Sequence, residues 1–191
     1  MSPLVTKRLF IAVELPKKVK KTLSSLQDSL KKTGADIKWV EPENIHLTLK
    51  FLGAVKTETI NNITKKIDKF RDEKKIKTEL FGLGGFPSLT GIRVIWAGLT
   101  DEKERILKIA HDLEGDLENF GFEREKRRFK AHITLGRMRS DCNKLSLIEK
   151  IKAINQDFEK IIFEVDNITL FESKLSPHGP TYSIIHQARF K

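Results

Sequence analysis

The sequence predicts an α+β fold of two similar lobes, each an antiparallel sheet covered by outer helices, related by a pseudo-twofold with a catalytic cleft between them. Three observations predict it. The tetrapeptide His-aliphatic-Thr-Leu occurs twice, as HLTL from His46 and HITL from His132, 86 residues apart. Extended and helical patterns surround each copy in the same order and at nearly the same offset, which marks an internal repeat over about 8–86 and 93–190. The strands around each motif have short connections, and short connections favour antiparallel pairing.

Taken in order, RLFIAVEL from Arg8 and RVIWAGL from Arg93 open the two repeats as strands. A helical pattern follows each. In residues 17–34 Leu23, Leu26 and Leu30 recur at three- and four-residue steps, and in 101–121 Ile106, Ile109, Leu113 and Leu117 do the same. Both patterns run into a glycine, Gly34 and Gly121, a residue that accepts the left-handed backbone ending a helix. The His-x-Thr-Leu strands come next. Helical stretches at 57–70 and 143–158 follow them, then extended segments at 76–86 and 160–171. TYSIIHQARF at 181–190 supplies the last strand. No Ser/Gly-rich linker divides the chain, so residues 1–191 read as a single two-lobed domain.

Composition narrows the class. No apolar run approaches the roughly 18–20 residues of a membrane span, and the early run LFIAV ends at Glu14, which reads as a strand and not a signal peptide. Cys142 is the single cysteine, so an internal disulfide is excluded and a reducing, cytoplasmic setting is expected. The formal net charge of +10 suits a polyanionic partner, since each neutralised phosphate releases counterions; it suits a merely soluble, Lys-rich surface equally well.

The motif itself carries the chemistry. Alternate residues of a strand face opposite ways, so Leu47, Leu49 and Phe51 share one face while His46, Thr48 and Lys50 share the other. In the second copy Ile133 and Leu135 oppose His132 and Thr134. Two such strands facing across a cleft surround one substrate group with two imidazoles and two hydroxyls. One neutral imidazole can take a proton from an attacking oxygen while one imidazolium gives a proton to the leaving oxygen. Threonine hydroxyls can donate to the non-bridging oxygens of a phosphate. No metal is expected: there is no His-x-x-x-His, no second cysteine and no carboxylate cluster beside either motif. No cofactor is expected either.

These residues resemble the two-histidine phosphoesterase superfamily, and within it the RNA 2′,3′-cyclic phosphodiesterases, also called 2′-5′ RNA ligases. The resemblance runs through RLFIAVELP, KWVEPENIHLTLKFLG, RVIWAGL, AHITLGR and ESKLSPHGPTY. It implies metal-free hydrolysis of RNA 2′,3′-cyclic phosphate ends to 2′-phosphomonoesters, with His46 as proton donor, His132 as proton acceptor, and Thr48 and Thr134 on the phosphate oxygens. The same site run with a 5′-hydroxyl RNA end implies 2′-5′ joining or cleavage, with tRNA fragments among the partners. The alternative is a non-catalytic nucleotide- or RNA-binding module of the same fold, acting as a monomer in either case.

By the resemblance Arg137 binds phosphate, although its odd offset from His132 puts it on the aliphatic face unless a bulge or strand end at Gly136 turns it back. Phe10 matches a position that stacks on a base, and Tyr182 one that lines the cleft. The run REKRRFK leads into the second motif and offers Arg127, Arg128 and Lys130 as an RNA-backbone track. His111, His178 and His186 have no repeated counterpart and read as structural or solvated, and Trp39 and Trp96 as core.

Overall fold

The chain order is β1 (Thr6–Glu14), α1 (Lys17–Lys31), β2 (Ile37–Trp39), β3 (His46–Lys56), α2 (Ile60–Asp68), β4 (Ile76–Phe86), β5 (Val94–Asp101), α3 (Arg105–Glu118), β6 (His132–Met138), α4 (Lys144–Gln156), β7 (Ile161–Val165), β8 (Asn167–Ser176) and β9 (Gly179–Arg189). This is a computed structural model that describes residues 5–101, 103–177 and 179–191. Each helix buries the stripe its periodicity marks: Val19, Leu23 and Leu30 of α1, and Ile106, Ile109, Leu113 and Leu117 of α3. Gly34 and Gly121 follow them with φ of 69° and 84°, the left-handed region that a side chain disfavours.

Among the described residues nine strands form one sheet in the order β7-β4-β5-β6-β3-β1-β8-β9, with β2 beside β6. Every pairing is antiparallel. The two motif strands sit at its middle and meet at a single pair, Leu47 opposite Ile133. Those are the residues that follow the two motif histidines. From that joint outward the order runs β1 and β5, then β8 and β4, then β9 and β7.

The sheet does not divide where the sequence repeat does. β4, which closes the first stretch, hydrogen-bonds to β5 and β7 of the second, while β8 pairs with β1 and β9 extends the sheet beyond β8. The segment 160–171 is accordingly two strands, broken at Asp166, that serve opposite ends of the sheet. Asn167, buried at the break, accepts from the Glu14 N–H and donates to the Glu14 carbonyl, each at 3.0 Å, and so ties β8 to the end of β1. Residues 122–131 form no strand, so β2 has no counterpart in the second stretch. No helix among the described residues is long and apolar enough to cross a membrane.

Candidate active site

At the first motif the alternation holds for four residues. Leu47 and Leu49 are buried against the core; His46 and Thr48 are half-buried on the opposite face. The register against β1 then slips, with Thr48 opposite Ala12 and Lys50 opposite Ile11, so that Leu49 is the extra residue of a β-bulge. Beyond a bulge the facing inverts. Lys50, expected beside His46, is therefore buried on the core side, where its Nζ bonds the Glu114 carboxylate and, at 2.9 Å, the Glu123 carbonyl. Phe51, expected among the aliphatics, is turned to the histidine face and is 66% exposed.

The second motif repeats the device. Thr134 lies opposite Trp96 and Gly136 opposite Ile95, which makes Leu135 the bulged residue. The bulge precedes Gly136, and it turns Arg137 onto the face of His132 and Thr134 despite the odd offset. The carbonyl of Leu135, lost to the β5 ladder, accepts from the Val40 N–H and the Gln27 amide, both at 2.9 Å.

Both imidazoles are held alike. His46 Nδ1 lies 2.7 Å from the Asn44 carbonyl and His132 Nδ1 lies 2.7 Å from the Lys130 carbonyl. A carbonyl only accepts, so each Nδ1 carries its proton and each Nε2 is left for chemistry. His46 Nε2 is 2.9 Å from the Thr48 hydroxyl, which donates to it while the ring is neutral. Burial pushes the His46 pKa down to about 4, against the Asn44 carbonyl, which favours the charged ring; the Lys20 charge lowers it further. Burial also lowers the His132 pKa, opposed by the Lys130 carbonyl and assisted by the Lys130 and Arg137 charges. Both rings are therefore set toward the neutral form at pH 7.

The surroundings of the two imidazoles differ. Around His46 stand Phe10 at 4.9 Å between ring centroids and Tyr182 at 5.5 Å. Phe10 packs in turn on Phe171, Tyr182 and Phe51. Phe10 is only 3% exposed, so it supports this wall and presents no face to a base, contrary to the expectation that it stacks on one. Tyr182 is half-buried; burial raises its pKa, opposed by the Arg137 and Arg8 charges. Around His132 stand Phe86 at 4.9 Å, edge-on, and the Lys130 ammonium, 4.5 Å from the Trp96 ring centroid. Trp96 is buried, as expected, and packs on the histidine face, because β5 sets it opposite Thr134.

Lys130 thus stands beside His132, whereas Arg127 and Arg128 are exposed in the preceding loop. His186 joins Asp68 at 2.8 Å, tying β9 to α2, and His111 is exposed on α3. His178 lies outside the described residues. Sequence reading missed Phe51, Phe86, Phe171 and Arg8. For Phe51 a signal existed, since it precedes Arg137 by the same offset that separates the two histidines.

A family model described as LigT like phosphoesterase matches residues 13–96 and 98–182. The chain is 37% identical over 183 residues to an RNA 2′,3′-cyclic phosphodiesterase of Methanocaldococcus jannaschii, covering 94% of this chain and 99% of that one. It is 34% identical over 186 residues to one of Thermotoga maritima, covering 96% of each. The crystal structure of a Thermus thermophilus protein matches with a TM-score of 0.76 at 27% identity, over 95% of this chain and 97% of that one. Escherichia coli LigT complexed with 3′-AMP shares the fold, with a TM-score of 0.76 at 22% identity over 98% and 99% of the two chains.

Proposed function

The chain belongs to the LigT-like phosphoesterases, and from that membership we propose that it hydrolyses RNA 2′,3′-cyclic phosphodiester ends to 2′-phosphomonoesters by metal-independent acid–base catalysis. One observation carries this: two imidazoles, each with Nδ1 committed to a carbonyl two residues back, offer Nε2 on adjoining strands that meet at Leu47 and Ile133. Continuing that register by one residue faces His46 with Thr134 and Thr48 with His132, a ring of two bases and two hydroxyls.

In the reaction His132 Nε2 takes a proton from water as its oxygen attacks phosphorus. The bond from phosphorus to the 3′ oxygen breaks, and His46 Nε2 protonates that oxygen. The charged His46 ring is supported by its donation to the Asn44 carbonyl. Thr48 and Thr134 hydroxyls and the Arg137 guanidinium hold the non-bridging oxygens, where charge collects in the transition state. Because His46 is neutral at pH 7 in the free protein, its proton is acquired with the anionic substrate, whose charge favours the imidazolium. A 5′-hydroxyl RNA end in the place of water makes a 2′-5′ bond through the same steps. The domain acts as a two-lobed monomer in the cytoplasm on RNA fragments, tRNA pieces included, with Arg127 and Arg128 along the outgoing backbone.

Incubation with 2′,3′-cyclic AMP in a strong chelator tests this. The expected product is the 2′-monophosphate. Formation of the 3′-monophosphate reverses the leaving group, and activity lost to the chelator and restored by zinc or manganese replaces acid–base chemistry with metal-assisted hydrolysis.

A further inference from the structure

Past His132, on the side away from His46, the histidine face carries an exposed ring that the proposed steps do not use. Leu80 pairs with Leu99 and Gly82 with Gly98, so Phe81 between them is the extra residue of a β-bulge in β4. Leu80 and Leu99 are buried in the core, whereas Phe81 is turned onto the face of Gly98 and His132, which lie opposite each other across the next ladder. There its tip takes the space that a Gly98 side chain would need: a Cβ on Gly98 would collide with Phe81 Cζ. The ring is still 46% exposed.

A single exposed ring needs no explanation by itself; the backbone built around this one does. β7 pairs with β4 only as far as Leu80. Past that point the Asn155 side chain of α4 takes the place of a strand, accepting from the Leu83 N–H and donating to the Leu83 carbonyl, each at 2.8 Å. Gly82 sits between bulge and clamp with φ of 145°, and a Cβ there would lie 2.9 Å from Asn155 Oδ1. Two glycines and one asparagine thus hold Phe81 on the histidine face. In-line displacement gives that place a use. The oxygen that attacks phosphorus arrives opposite the departing 3′ oxygen; His46 serves the departing side and His132 the arriving side. When the attacking oxygen is a 5′-hydroxyl, the nucleoside carrying it lies past His132. There Gly98 puts no side chain of its own opposite His132, and the Phe81 tip reaches in over it, one strand spacing of about 4.8 Å from the His132 backbone.

We propose that Phe81 stacks the base of a second nucleoside, whose 5′-hydroxyl is thereby delivered to His132, so that the face past the second motif is an acceptor subsite for a 5′-hydroxyl RNA end. The inference rests on the reading of the cleft as a two-histidine RNA-end site. In the step it serves, the bond from the 5′ oxygen to phosphorus forms and the bond from phosphorus to the 3′ oxygen breaks. The 5′-hydroxyl proton goes to His132 Nε2, and His46 Nε2 gives a proton to the 3′ oxygen. The same subsite holds the 5′-linked nucleoside when a 2′-5′ bond is cleaved by the reverse steps. Any base serves there, because every base has a face to stack.

The test uses two ligands that cannot react, so that it does not depend on turnover. 3′-Deoxyadenylyl-(2′→5′)-adenosine has no 3′-hydroxyl to displace its second nucleoside, and 3′-deoxyadenosine 2′-phosphate is its first half alone. Affinities are read by titration calorimetry, and the second adenine by the upfield shift that a stacked ring gives its protons. Phe81→Ala is expected to lower the affinity for the dinucleotide relative to the mononucleotide roughly tenfold to hundredfold and to remove that upfield shift. Phe81→Trp restores both. With 2′,3′-cyclic AMP as donor and a limiting 5′-hydroxyl oligonucleotide as acceptor, Phe81→Ala lowers the ratio of joined to hydrolysed product by a similar factor. Thermal melting checks that substitution of the exposed ring leaves the fold intact. Equal loss for the two ligands, no loss for either, or a dinucleotide that the unaltered chain binds no tighter than the mononucleotide overturns the proposal. Binding that follows the expected pattern without turnover of the cyclic nucleotide overturns the catalytic reading alone, and turnover with an affinity ratio unaffected by Phe81→Ala overturns the acceptor subsite alone.

Discussion

At the first motif the strand presents His46, Thr48 and, past the bulge at Leu49, Phe51; at the second it presents His132, Thr134 and, past Leu135, Arg137. Backbone, bulge and the imidazole-to-carbonyl bond are the same in both. What differs is one side chain beyond each bulge and the walls around it: Phe10, Phe171 and Tyr182 near His46, and Phe86 with the Lys130 ammonium over Trp96 near His132. The same backbone device thus holds two equivalent proton carriers while the residue it turns outward is free to differ. The repeat supplies two imidazoles held alike, and the differences around them give the two histidines unlike surroundings.

The largest effects should come from the shared part. Replacing His46 or His132 by alanine should each cost roughly 10²–10⁴ in rate, or about 3–5 kcal/mol of barrier, and removing both should cost far less than the sum because they act together. Thr48→Ala and Thr134→Ala should follow at roughly 10²–10³. The pH profile sharpens the comparison. Both imidazole pKa values are lowered in the free protein, so the acidic limb of kcat/KM should fall below the ordinary histidine value of 6.5. A bound phosphate anion favours the charged rings and raises both values. The kcat profile should therefore sit at higher pH than the kcat/KM profile, with apparent values that belong to the pair. Coincident profiles would break the argument that the substrate brings the proton. His111→Ala, at an exposed position of α3, is the control and should leave the rate nearly intact.

Next in size is the side chain that differs. Arg137→Gln should lower kcat/KM by roughly 10²–10³ if the guanidinium holds transition-state charge. The sharper variant exchanges the two positions, Phe51→Arg with Arg137→Phe. Both side chains are exposed, so folding should survive, as a melting curve would check. If the half-sites were interchangeable the exchanged protein would keep its activity. The expectation is a loss at least as large as that of Arg137→Gln, because each wall remains built for its original occupant.

How much of this the sequence disclosed follows from what a periodic pattern can encode. Helix stripes, glycine stops and the two histidine strands are local, and residues such as Leu23, Ile109 and Gly121 reveal them. Pairing across long separations is not local. Nothing within residues 160–171 says that Ile161–Val165 joins β4 while Asn167 crosses to β1. Bulges are the harder case, because period-two reading assumes none. That assumption misplaced Lys50 and Phe51 and made Arg137 look misdirected, although the matching offset of Phe51 and Arg137 was present in the chain. That Trp96 is buried was legible; which face it packs on was not, because its facing is set by Thr134 across the ladder.

The smallest effects concern how each bulge is supported, and here too the motifs differ. Behind Leu135 packs β2, which leaves no space beside Gly136: a Cβ there would lie 2.6 Å from Ile37. The freed Leu135 carbonyl takes the buried Gln27 amide. Behind Leu49 no such strand lies among the described residues, and Lys50 fills the position by reaching Glu114 and the Glu123 carbonyl. Gln27→Leu removes the amide donor shared by the Leu135 and Val40 carbonyls, of which Leu135 keeps the Val40 N–H, and should cost about 1–3 kcal/mol, or roughly 2–4 °C of melting temperature per kcal/mol. Lys50→Met strands a carboxylate, but Glu114 keeps some water contact, so its cost should stay below the roughly 3–5 kcal/mol of a fully buried broken pair. Activity should fall less than about tenfold in either, well short of the 10²–10⁴ for a catalytic histidine. The two losses should also separate by ligand. Lys50→Met loosens the strand that carries Phe51 and should weaken base-bearing ligands more than inorganic phosphate. Gln27→Leu loosens the strand that carries Arg137 and should weaken phosphate itself. Identical ligand profiles for the two variants would show that the bulges report on the sheet as a whole and not on separate half-sites.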